Sequence, residues 1–324
     1  MTVPRHEVFK PLEVGTYHCV SRCVRRAFLC GYDKTTGTSY EHRKSWLRDR
    51  LTTLVHIFAI ELLAYAVMSN HLHSLLRNRP DKAAMWSPEE VARRWRTLFP
   101  LRRIAGMPAE PNEFEITTIT DDPVLVETYR QRLSSLSWFS RCLSENIARR
   151  ANKEDEVTGR FWEGRFKSQR VYDIGALLAC SVYIDLNPIR AGIASTPEGS
   201  DFTSAQDRIR ARQRQASGKT APYVTPPLVP IEDFTEEHLS LERYLDLLDA
   251  TGRQMVEGKG RIAPEMEDIL TRLKLNPKNW LDTTTKLRQR FKRMVGSEAS
   301  LLGAAQKQGK RWFQGLAAAR AAFV

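Results

Sequence analysis

Two apolar runs, residues 58–68 and 72–76, are parted by little more than Ser69-Asn70. They read as a strand, a tight connection and a second strand. Before them stands "EHRKSWLRDRLTTLVHIF", where Trp46, Leu47, Leu51, Leu54 and Val55 recur at helical intervals. Earlier still, residues 16–24, "TYHCVSRCV", alternate in the manner of a strand. The chain therefore opens in β-α-β-β order, which points to a mixed α+β fold.

The second of the paired strands begins His71-Leu72-His73. Side chains at i and i+2 of a strand share a face, so the two imidazoles stand side by side while Leu72 turns toward the core. Such a pair is a platform for a divalent metal, and it tolerates Mg²⁺ or Mn²⁺ when a third ligand and phosphate oxygens complete the shell.

Further along, "SPEEVARRWRTLF" carries a helix start, with Ser87 as N-cap, Pro88 in the first turn and Glu90 closing a capping box. Asp122-Pro123 opens a second helix, predicted to run as one element of about six turns through Val126, Tyr129, Leu133, Leu136, Phe139, Leu143 and Ile147. The stretch "TGRFWEGRFKSQRVY" then interleaves Phe161, Trp162, Phe166 and Tyr172 with Arg160, Arg165, Lys167 and Arg170, and its strand-like part can complete the sheet. Aromatic rings among guanidinium groups suit unpaired bases and their phosphates. Core aromatics with solvated arginines are the competing reading. "IGALLACSVYIDLNPIRAGIA" reads as a helix stopping near Asn187-Pro188.

Charge supports a polyanionic partner. Lys and Arg outnumber Asp and Glu by 50 to 38, for a formal net charge of +12 and a pI near 9.6. Residues 251–324 hold fifteen Lys or Arg against six acids, so this last part is expected to offer an electrostatic surface to a nucleic acid, with a charged solvent face as the competing reading. The expected organisation is one domain over residues 1–215, a Pro-rich linker over 216–235 and a basic helical region over 236–324. Arg22, Arg25 and Arg26, on or just after the first strand, are candidate phosphate clamps.

Five cysteines form an odd set without a Cys-x-x-Cys pair, which argues against a disulfide framework or zinc ribbon and fits a reducing cytoplasm. Cys19 and Cys23 are expected as buried thiols on one strand face beside His18. No apolar signal core and no 18-residue apolar run occurs, so neither export nor a membrane partner is expected.

Four segments, "YHCVSRCVRRAFL", "YAVMSNHLHSLL", "GRFWEGRFKS" and "YIDLNPIRAGIA", resemble in the same order segments of the single-tyrosine HUH transposases and their relatives, the REP-associated tyrosine transposases. The resemblance spans roughly residues 14–205. It implies a ferredoxin-like domain, an antiparallel sheet packed by helices, with His71 and His73 coordinating Mg²⁺ or Mn²⁺. It further implies a tyrosine that attacks single-stranded DNA, typically structured as hairpins, leaving a 5′-phosphotyrosine and a free 3′-hydroxyl.

The nucleophile does not carry over. Its place falls within residues 137–161, which contain no tyrosine, and Ile147 stands near the expected position. Asn152 is matched to a polar, metal-proximal place. Tyr129 lies eighteen residues before Ile147, about 27 Å along one helix, and suits core packing. Tyr172 follows the helix and can approach the sheet, whereas Tyr183 reads as a packing residue. The expected function is a transposase-like protein making metal-assisted phosphodiester transfer in structured single-stranded DNA. A hairpin-binding relative that does not cut and a water-using metal nuclease are the alternatives. The DNA site, the metal and the oligomeric state stay open.

Overall fold

The computed structural model describes residues 9–24, 29–33, 36–104, 107–218, 225–236, 238–257 and 264–323. Strands β1 (Gly15–Arg22), β2 (Ile60–Val67), β3 (His71–Asn78), β4 (Lys167–Val171) and β5 (Met294–Val295) form one mixed sheet in the order β2-β3-β1-β4-β5. The first four pair antiparallel, and β5 joins β4 in parallel. With helix α1 (Arg43–Ile57) between β1 and β2, the first four strands have the order and directions of a ferredoxin-like split βαβ unit. The β2–β3 hairpin is as tight as its sequence requires, closed by the Met68 amide donating to the His71 carbonyl at 2.8 Å.

The stretch predicted as one six-turn helix is two helices, α4 (Pro123–Leu133) and α5 (Leu136–Glu154), which follow α2 (Pro88–Leu98) and α3 (Glu113–Thr120). The break at Ser134-Ser135 has a tertiary cause: the Leu133 carbonyl, which a continuing helix would need, accepts from the Ala59 amide at 2.9 Å. Tyr129 and Ile147 thus sit on different helices. Ser87 caps α2 as expected, but the Glu90 carboxylate accepts from Arg94 on the next turn at 2.6 Å rather than closing the box.

One face of the sheet packs against Leu47, Leu51 and Leu54 of α1 and Phe139, Leu143 and Ile147 of α5. The opposite face is covered by α6 (Ile174–Asp185), and beyond it by α7 (Ser204–Ala216), α8 (Leu241–Glu257), α9 (Pro264–Arg272), α10 (Trp280–Arg290), α11 (Glu298–Lys307) and α12 (Leu316–Ala322). Every residue of α6 from Gly175 to Asp185 is buried. A helix apolar on all sides needs cover on its outer surface as well, and the chain just past α9 comes so close that a Cβ on Gly175 would lie 2.5 Å from the Leu273 carbonyl oxygen.

This packing corrects the expected division of the chain. Residues 236–324 are not an appendage, because they supply β5 and share one core that runs from Leu63 to Phe323. The described part of the supposed linker is also docked. Val229 donates to the Leu62 carbonyl at 2.9 Å, and Ile231 and Phe234 are core residues. No helix among the described residues is long and apolar enough to cross a membrane.

Candidate functional site

In the antiparallel register of β1 and β3, Val20 stands opposite His73 and Arg22 opposite His71. Directly paired residues share a face, so His18, Arg22, His71 and His73 all project toward the α6 side. Cys19 and Cys23 take the other side and are buried against α1 and α5. The two thiols share one buried face as expected, and the alternation of the strand turns His18 to the other. All five cysteines are buried and none is in a disulfide.

The His71 and His73 rings meet edge to face with centroids 4.7 Å apart. His71 is half-buried at the mouth of the site, its Nδ1 held 2.5 Å from the Asn70 side-chain oxygen. His73 is 1% exposed; its Nδ1 lies 2.8 Å from His18 Nε2, and its Nε2 is buried without a hydrogen-bond partner. Tyr183 of α6 packs edge-on against both His18 and His73, 5.7 Å between centroids. Arg190 lies over the Tyr183 ring at 4.1 Å.

Burial first, then the charges of Arg22, Arg288 and Arg190, push the His71 pKa down to about 4. Burial and then Arg288 push His18 down to about 3. His73 is held well below the ordinary histidine value by burial and by its two neighbouring rings. All three imidazoles are therefore neutral at pH 7, the form that offers a lone pair to a metal.

This arrangement sets a pH dependence. A base whose folded pKa is depressed binds fewer protons than its unfolded form between the two values, so stability is lost as pH falls through about 6.5 toward the folded pKa. In metal-free buffer, lowering the pH from 7 to 5 is expected to cost about 2 kcal/mol for buried His18 alone, with His73 acting in the same direction. Urea unfolding at the two pH values reads this directly, and a midpoint that does not fall would contradict neutral, buried rings.

The other predicted residues are distributed unevenly. Arg22 is exposed at the end of β1 beside His71, and its carbonyl accepts from the Glu163 amide at 2.9 Å, which ties the "RFWEGRF" segment to this end of the sheet. Lys167, exposed and opposite Val20, projects to the histidine face. Arg165 lines a groove of about 550 Å³ with Arg141, Arg160, Trp162 and Phe166 over a floor of α5 serines. Trp162 donates to the Ser144 carbonyl at 2.8 Å, so its indole is anchored while the arginines line the groove.

Arg170 is one position out of phase with Lys167 and Gln169. It turns to the opposite face, where it pairs with Glu13 at 3.3 Å and lies over Tyr17. Arg25 and Arg26 lie outside the described residues.

The two tyrosines singled out in the sequence are not brought to the histidines. Tyr129 stacks on Trp95 at 4.0 Å, and the Tyr172 hydroxyl lies 3.6 Å from the Met294 sulfur. Ile147 is fully buried on the face opposite the imidazoles. Asn152 follows on the same helix, and its side-chain amide donates to the Gly159 carbonyl at 3.0 Å.

Sequence reading missed His18 as a partner of His73, and also Gln169, Tyr183, Arg190 and Arg288. The alternation of β1 places His18 and Arg22 in phase, but the register that sets them against β3 is not written in either segment.

No family model and no curated protein matches the chain. Among solved structures it is similar to one described as "Structure of the REP associates tyrosine transposase bound to a REP hairpin". The likeness covers 71% of this chain and 93% of that one, at 12% identity and a TM-score of 0.38. A likeness of that extent is a distant one of fold and says nothing of function.

Proposed function

We propose that this chain is a transposase-like protein that binds structured single-stranded DNA at the histidine end of its sheet and carries out metal-assisted phosphodiester transfer there. The observation that carries the reading is the buried, unpartnered Nε2 of His73 beside His71, under the charges of Arg22, Arg190 and Arg288. Among the described residues no set of three or more His, Cys, Asp or Glu is placed to hold a metal ion. A cation held by the two imidazoles would therefore have to bring the rest of its shell with the nucleic-acid phosphate.

His71 and His73 are the residues that would hold Mg²⁺ or Mn²⁺, which when bound would polarise the scissile phosphate. The three arginines neutralise the phosphodiester and hold it against the imidazoles, while Lys167 extends positive charge along the same face. Arg160, Arg165 and Phe166 offer stacking and phosphate contacts to the flanking strand. Transfer needs an oxygen nucleophile. Among the described residues, Tyr183 has its ring packed against His18 and His73, which makes it the first candidate. Its attack would form the phosphotyrosine bond, break the bond to the 3′ oxygen and leave a 3′-hydroxyl.

A second reading, a hairpin-binding relative that does not cut, is favoured by one observation: α5 offers no tyrosine, and Ile147 is locked in the core on the far face. Incubation with labelled single-stranded hairpin DNA and Mn²⁺, followed by denaturing electrophoresis and peptide mapping, separates the readings. A covalent adduct, with Tyr183 the first site to examine, is the expected result. Cut fragments without adduct mean that water attacks. Binding without cut or adduct selects the second reading, and absence of binding removes both.

A further inference from the structure

The bare nitrogen of His73 is decided by a line of groups that ends in the C-terminal part of the chain. The Phe291 carbonyl, next to the end of α10, can only accept a hydrogen bond. The Gln169 side-chain atom set against it is accordingly the amide nitrogen, which donates to that carbonyl. The same amide then presents its oxygen to His18, with Oε1 3.0 Å from Nδ1. An amide oxygen only accepts, so His18 Nδ1 carries the hydrogen. His18 is fully buried, which favours the neutral ring, so it has one ring hydrogen, and its Nε2 is a lone pair.

That lone pair lies 2.8 Å from His73 Nδ1, with the two rings nearly parallel at 19°. His73 Nδ1 is therefore the donor. Being neutral as well, His73 has no hydrogen left for Nε2, the atom that is buried without a partner. The reverse order would set the Gln169 oxygen against the Phe291 oxygen and bury an unsatisfied N–H on His73, both unfavourable. Histidine in water favours the opposite tautomer, with the hydrogen on Nε2, so the surroundings must impose this one.

We propose that Phe291, Gln169, His18 and His73 form a tautomer relay in which a backbone carbonyl of the C-terminal region keeps His73 Nε2 a lone pair. Gln169 and His18 are positioning residues for this atom. The relay stands on the hydrogen-bond geometry; only the use of the lone pair, for a metal on a phosphate, rests on the proposed function. It also accounts for a polar glutamine in β4 that is 5% exposed.

The test is two-bond ¹H–¹⁵N correlation of the histidine rings in the metal-free, full-length protein at pH 7.5. His18 and His73 are each expected to show a protonated Nδ1 and a pyridine-like Nε2. Finding the hydrogen on His73 Nε2 in the unsubstituted protein overturns the relay, whether or not any variant folds. Gln169→Leu, which removes the acceptor for His18, is expected to shift both rings toward the tautomer favoured in water and to weaken Mn²⁺ binding in the presence of hairpin DNA about tenfold. A folded Gln169→Leu protein with unchanged tautomers also overturns it. The expected tautomers in a protein that binds no Mn²⁺ would uphold the relay and remove the metal reading instead.

Discussion

His71→Ala is expected to abolish hairpin cleavage, by more than about hundredfold, while hairpin affinity stays within about threefold. The asymmetry follows from what the side chain touches. Under the proposed function His71 is one of the two imidazoles that would hold the cation, and removing it would take away half the protein's donors, a larger loss than the 10–100-fold typical of outer-shell changes. Under the same reading binding would be carried by phosphate neutralisation, to which Arg22, Arg190, Arg288 and Lys167 would contribute without His71. The ring is half-buried at the mouth of the site, so its truncation leaves the core intact. Single-turnover cleavage and salt-dependent binding measured on the same preparation check both parts. Unchanged cleavage would sink the metal reading. His73→Ala is a poorer probe, because it also strands the buried His18 nitrogen 2.8 Å away.

Asp185→Ala is expected to destabilise the protein by about 3–5 kcal/mol, in the range found when one partner of a buried charged network is removed. Asp185 is 1% exposed at the end of α6. It accepts from the Tyr244 hydroxyl at 2.6 Å, from the Ala205 amide at 3.0 Å and from the Ser204 hydroxyl. Ser204 in turn accepts from the Tyr65 amide of β2 at 3.0 Å. One carboxyl therefore fastens α6, α7, α8 and the sheet, and alanine would leave three buried donors unanswered. Urea unfolding should show a lower midpoint with an unchanged slope. A loss below about 1 kcal/mol would mean that water or a neighbour satisfies these groups.

Much of this architecture was legible in local sequence. The apolar runs around Ser69-Asn70, the alternation of "TYHCVSRC" and the spacing of Leu47, Leu51 and Leu54 each report on residues a few positions apart. They identified β1, α1, β2 and β3. The same locality explains the failures. Nothing within residues 122–150 announces that Leu133 gives its carbonyl to Ala59. Nothing in "GKTAPYVTPPLVP" announces that Val229 docks on Leu62. Counting charge over residues 251–324 suggested a detachable basic surface, because net charge takes no notice of the buried Trp280, Leu287 and Phe291 on the same helices and loops.

What the sequence determined alone is the opening β1-α1-β2-β3 order and the shared face of His71 and His73, since period two is a property of any strand. The tertiary structure decided which groups meet those rings. His18 reaches His73 through strand register, Gln169 reaches His18 from the paired strand β4, and Phe291 reaches Gln169 from 122 residues away. Each of these contacts is made by closing a long loop. Its energy comes from burying surfaces that are distant in the chain, so no local pattern records it.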